Sequence, residues 1–152
     1  MLQMDHLNKA ILRAQKNRSH LVFFLERQAI GAKLDSYPSL NLNALLSEQL
    51  LGFPRQSRAR ETAPLVHQLV DEVDESTVLL HDIEILFDRS LAIDPIRLLM
   101  ACSKNKTLLV CWPGDKTGSG LSYAVPSHSE YRTYKTSDLS DVIFLTTDAQ
   151  LH

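Results

Sequence analysis

Thr77 to Leu80, Thr-Val-Leu-Leu, constrains this chain more than any other stretch. It is short, β-prone and apolar, and acidic residues precede it. Such a run reads as a strand buried on both faces, as in a parallel sheet. His81, Asp82 and Glu84 follow at once. In an open α/β sheet, ligands sit beyond the carboxyl ends of the strands. A carboxylate there can hold Mg²⁺, directly or through water, beside a nucleotide phosphate. Four apolar residues and then acids make Asp82 and Glu84 Walker B-like candidates, with Asp82 the ligand if Mg²⁺ binds. The plainer reading is a strand followed by a helix cap, because many buried strands end in Asp or Glu.

Composition narrows the choice. With 152 residues, 44% of them hydrophobic, the chain has room for one domain with a real core. A formal net charge of −2 gives no global pull toward nucleic acid. No run approaches the length of a membrane span, and Met1 to Asp5 is polar and acidic where a signal peptide is basic and then apolar. Cys102 and Cys111 are too few for a zinc site or a disulfide framework, and the six histidines show no metal-ligand spacing. A reduced, cytoplasmic compartment is expected.

Strands alternate with helical patterns along the chain. Leu2 to Asn17 has an apolar stripe (Leu7, Ile11, Ala14) and a basic face of Lys9, Arg13, Lys16 and Arg18, which reads as a solvated amphipathic helix. His20 to Leu25 is a candidate first central strand. Glu26 to Ser36 reads as a loop, Leu40 to Leu42 as a short strand, and Asn43 as the cap of a helix that Gly52 stops. Pro54 to Arg60 reads as a basic connector; its Arg55, Arg58 and Arg60 are candidate contacts for a partner or a phosphate. Thr62 is expected to cap the next helix, with Pro64 near its first turn. Ile83 to Phe87 begins a helix or turn, and Asp94-Pro95 opens another. Thr107 to Trp112 and Val142 to Thr147 complete the buried strands. Between them, Pro113 to Gly120 reads as a flexible loop, and Leu121 to Ala124 with Tyr131 to Lys135 as a hairpin. The expectation is a single α/β domain over 1–152, with an N-terminal helix in 1–18 and a loop and hairpin-like excursion at 113–137. Its sheet is mainly parallel and about five-stranded.

A Walker B strand calls for a Walker A loop, G-x-x-x-x-G-K-S/T, after the first strand. There the chain has Glu26-Arg27-Gln28-Ala29-Ile30-Gly31-Ala32-Lys33. Glu26 stands at the first glycine, Ala32 at the lysine and Lys33 at the hydroxyl position; only Gly31 survives. A carboxylate near a triphosphate is repulsive by about 1–4 kcal/mol per close charge pair at a wet surface. The later run Gly114-Asp115-Lys116-Thr117-Gly118-Ser119-Gly120 lacks the Walker order, and a strand rather than a helix follows it. His128, Glu130 and Tyr131 sit in a turn, where local capping is the expected role.

Several ordered segments carry a resemblance. They are Tyr37-Pro38-Ser39-Leu40-Asn41-Leu42-Asn43, Val78 to Asp88, Asp94-Pro95-Ile96-Arg97-Leu98-Leu99, Ser103-Lys104-Asn105-Lys106-Thr107, Trp112-Pro113-Gly114 and Leu121 to Arg132. Together they resemble the small P-loop proteins (BrxF) of type 3 BREX bacteriophage-exclusion systems, over most of the chain after Ser19. The resemblance implies a three-layer P-loop NTPase-like domain in bacterial anti-phage defence. It implies partners as well: a large ATPase, a DNA methyltransferase and an alkaline-phosphatase-like protein, with DNA reached only indirectly and no membrane. Family members carry an intact loop, and their Walker B acid falls at or beside His81. With this resemblance, Thr77–Leu80 is expected beside the outer strand near Leu40–Leu42, and His20–Leu25 at the centre beside Thr107–Trp112.

Three readings follow. The chain is a P-loop-fold accessory protein without nucleotide hydrolysis, needing no cofactor. Alternatively it is an active NTPase of the same system that takes ATP and Mg²⁺ through Gly31, Lys33, Asp82 and Glu84. The third reading is an unrelated α/β protein-interaction module.

Overall fold

A computed structural model describes residues 4–25, 36–117, 120–124 and 129–145. Glu26, Gly31, Ala32 and Lys33, and with them nearly all of the expected 26–36 loop, lie outside the described residues, as does His128. The elements are α1 (Met4–Gln15), β1 (Leu21–Phe24), β2 (Ser39–Asn41), α2 (Leu42–Leu50), α3 (Arg55–Asp71), β3 (Thr77–His81), α4 (Pro95–Cys102), β4 (Thr107–Cys111), β5 (Asp115–Thr117), β6 (Gly120–Tyr123), β7 (Arg132–Lys135) and β8 (Val142–Leu145). Among the described residues, three short 3₁₀ turns join them, at Glu84–Phe87, Arg89–Leu91 and Thr136–Leu139.

Four apolar runs and the short edge strand β2, Ser-Leu-Asn, form one sheet of order β2-β3-β4-β1-β8, every pairing parallel. As expected, β3 lies beside the outer strand β2 and β1 beside β4; the middle position expected for β1 is held by β4, with β1 between β4 and the edge strand β8. Side-chain alternation explains why such runs must be apolar throughout. Leu21, Phe23, Val78, Leu80, Leu108 and Val110 face one core; Val22, Phe24, Leu79, Leu109 and Cys111 face the other. The first core is closed by Leu42 and Leu46 of α2, Val66 and Val70 of α3, and Leu99 of α4. The second is closed by α1, whose Leu7, Ala10, Ile11 and Ala14 recur at helical spacing and lie buried on the sheet. Helix, sheet and helices thus make three layers, the architecture of P-loop-like α/β domains. No helix among the described residues is long and apolar enough to cross a membrane.

Three local expectations need correction. Asn43 does not cap α2; Asn41 does, its side chain accepting from the Ala44 N–H at 3.0 Å. The strand ends one residue earlier than the apolar pattern suggests, because Leu42 is both apolar and the first helical residue. Pro54 to Arg60 is not a loop, since α3 starts at Arg55. Nothing at Pro54 supplies a side-chain cap, so the ordinary start signal is absent. The Pro54 carbonyl instead accepts from both the backbone N–H and the hydroxyl of Ser57. Thr62 and Pro64 therefore lie inside the helix. The Thr62 hydroxyl, fully buried, donates to the Arg58 carbonyl at 2.7 Å; Pro64 is tolerated on the exposed side. The C-terminus of α3 is held by Lys106, which donates to the carbonyls of Val70 and Val73, a favourable place for a cation.

The third correction concerns the Pro113–Gly120 loop, in which Asp115–Thr117 is a strand and Gly120 begins the next. β5, β6 and β7 form a three-stranded antiparallel sheet inserted between β4 and β8. Trp112, fully buried at the end of β4, anchors it. The indole donates to the Ser122 carbonyl at 3.0 Å, stacks on Phe23 with centroids 5.3 Å apart, and meets Phe87 and Tyr134 edge-on. Tyr123 stacks on Phe87 at 3.9 Å, and Arg132 lies over the same ring while donating to the Ile93 carbonyl. Burial, with Asp94 adding, raises the Tyr134 phenol above its ordinary pKa against the opposing pull of Arg132. The small sheet is thereby tied to the segment after β3.

Candidate functional site

The site is built at the carboxyl edge of the parallel sheet, where β1 ends at Phe24, β3 at His81 and β4 at Cys111. Backbone pairing continues past the strands there. Leu25 donates to the Leu145 carbonyl, and Trp112 to that of Phe24. His81 is the last residue of β3, in register with Asn41 of β2. Asp82 then takes φ +49°, the left-handed conformation that Asp and Asn tolerate better than most residues. This turn swings the chain out of the strand, buries Ile83 and starts the 3₁₀ turn at Glu84.

Both candidate acids have protein partners. The Asp82 carboxylate is 2.7 Å from His81 Nδ1, with 49% of the side chain exposed. Glu84 accepts from Asn43 Nδ2 at 3.2 Å. Asn43 does more: its Oδ1 accepts from the Ile85 N–H at 2.7 Å, and its own N–H donates to the Asp82 carbonyl at 2.8 Å. One side chain in the first turn of α2 thus staples that helix to the loop carrying both acids. Reading Asn43 as a cap missed this role. The available signal was a second asparagine two residues behind Asn41, with only one cap position to fill.

Removing the Asn43 amide leaves the Ile85 N–H short of its partner in a part-buried site and takes one hydrogen bond from Glu84. Asn43→Ala is expected to cost about 1–3 kcal/mol in urea unfolding. An unchanged midpoint would contradict the staple.

The arginines do not join this cluster. Arg58 Nε donates to the Phe53 carbonyl, which makes it a fastener at the start of α3. Arg60 lies 3.5 Å from Glu61 and is 78% exposed, and Arg55 is exposed. Among the described residues no ion pair links any of the three to Asp82 or Glu84. No group of three or more His, Cys, Asp or Glu among them could hold a metal ion. Ser103 closes α4, its hydroxyl donating to the Met100 carbonyl. Cys102 is a packing residue; burial, with Asp71 adding, pushes its thiol up to about 12, leaving no thiolate to react at neutral pH.

The arrangement therefore offers one half-exposed carboxylate, Asp82, and one carboxylate held by an amide, Glu84. No protein-family model, curated protein or solved structure matches the chain.

Proposed function

We propose that the chain is an accessory component of a bacterial anti-phage (BREX) defence complex, with a P-loop NTPase-type fold and without nucleotide hydrolysis. Its resemblance to the BrxF proteins is the starting point for this reading. The observation that carries it is a mismatch. β1 is an interior strand of a five-stranded parallel sheet, yet the residues that follow it put Glu26 where the first glycine belongs and Ala32 where the lysine belongs. A working loop needs free N–H groups at a helix start, a lysine for the phosphates and a hydroxyl for Mg²⁺. The engagement of Asp82 by His81 and of Glu84 by Asn43 supports the same reading.

On this proposal the protein works by contact. Its partners are the large ATPase, the methyltransferase and the alkaline-phosphatase-like protein of the system, in the cytoplasm. Affinity-tagged protein expressed in its native host is expected to co-purify with at least one of them. Recovery of the chain alone, under conditions where those proteins are present, contradicts the proposal. One observation favours the alternative of an active NTPase: Asp82 is half exposed at the carboxyl edge, where a magnesium ligand would stand.

A further inference from the structure

The outer side of α1 carries a stripe of basic residues. The helix turns Leu7, Ala10, Ile11 and Ala14 to the sheet, which leaves Asn8, Lys9, Leu12, Arg13 and Lys16 in solvent, with Arg18 just beyond. Residues 6–20 contain these four Lys and Arg and no acid, Asp5 one turn before Lys9 being the single acid of α1, so the remainder of a chain of net charge −2 carries −6. None of the four cations makes an ion pair among the described residues.

The stripe has a definite reach. Lys9, Arg13 and Lys16 stand at i, i+4 and i+7 on one helix face, over about 10 Å at 1.5 Å per residue. Duplex DNA carries one phosphate per about 3.4 Å of axis on each strand, so about three phosphates span the same length. At the far end, Asn17 donates to the Asp141 backbone carbonyl at 3.0 Å, which ties that end of the helix to the start of β8.

We propose that this face of α1 binds the phosphodiester backbone of duplex DNA, without reading its sequence. A protein partner fits less well. Cores of protein interfaces are apolar and depleted in lysine, whereas here a single leucine, 59% exposed, stands among cations. Backbone binding uses such cations and releases condensed counterions. The negative remainder of the chain limits the affinity and keeps the contact local to α1.

Fluorescence anisotropy with a labelled random-sequence duplex tests this on the full chain. With three phosphates neutralised, affinity is expected to fall about 40-fold between 50 and 200 mM salt. Lys9→Gln/Arg13→Gln/Lys16→Gln should lose at least about tenfold at the lower salt, with unchanged circular dichroism and melting temperature. Leu12→Ser should bind like the parent. Absence of binding at 50 mM salt, or equal binding by the triple variant, overturns the proposal. If the triple variant keeps DNA binding but loses a co-purifying partner, the face belongs to a protein contact and the proposal is likewise overturned.

Discussion

Leu80→Asp is expected to leave no folded domain. Leu80 is fully buried in β3, opposite Leu40 on one side and Val110 on the other, and faces the core that α2, α3 and α4 close. Truncating such a leucine costs about 2–5 kcal/mol in lost burial and cavity. Placing a carboxyl group there without a hydrogen-bond partner adds about 2–7 kcal/mol. The total is comparable with the whole stability of a domain this size, about 5–15 kcal/mol. Circular dichroism and a thermal melt check it. Leu80→Met, nearly volume-conserving, should cost less than about 1.5 kcal/mol and keep the fold. A soluble Leu80→Asp protein with an unchanged melting temperature would show that β3 is misplaced.

Gly114→Ala is expected to have the next largest effect, confined first to the small sheet. A Cβ at Gly114 would lie 1.8 Å from the Ser122 carbonyl oxygen and 2.9 Å from Tyr123 Cα. Both are backbone atoms of β6, so no side-chain rotation relieves the contact. The same carbonyl accepts the Trp112 indole N–H, and Ser122 pairs in register with Asp115 of β5. Alanine must therefore push β6 away and break the anchor together with the pairing. Overpacking of this kind costs about 1–3 kcal/mol or more, and the lost hydrogen bond about another 1 kcal/mol. Trp112 is the only tryptophan, so its fluorescence reports the event directly. The expected result is red-shifted emission, from entry of water around the indole, with a lower melting temperature. Emission and melting temperature both equal to the parent's would contradict the packing described.

The same two regions show what can be read in a sequence of this kind. The parallel order was legible because β1, β3, β4 and β8 are unbroken apolar runs of a length only buried strands need, and because the resemblance set their order. Helix starts were legible where a side chain makes the cap, as Asp94 does for α4. They failed where the backbone does the work, as at Pro54, or where two asparagines compete, as at Asn41 and Asn43. The glycine-rich run was misread because glycine signals freedom in a turn and close backbone approach equally well. Gly114 is there for close approach, and only the position of Ser122 reveals it. At the candidate site, the types of the acids were visible but their partners were not. The bonds of Asn43 to Glu84 and Ile85 join residues 41 and 42 positions apart in the chain, across two strands of the sheet.

Isothermal calorimetry with Mg-ATP, on this protein and on Lys33→Ala, tests the central claim most directly. Three losses act on one small site: repulsion at Glu26, the missing lysine at Ala32, and Lys33 in place of the hydroxyl. Each is worth about tenfold in affinity, or about 1.4 kcal/mol. The account predicts no binding tighter than about millimolar for either protein, and the same for GTP. The rival expectation is that Lys33 reaches the phosphates while Asp82 recruits Mg²⁺. Micromolar binding by the parent that disappears in Lys33→Ala would contradict the account and restore an active NTPase.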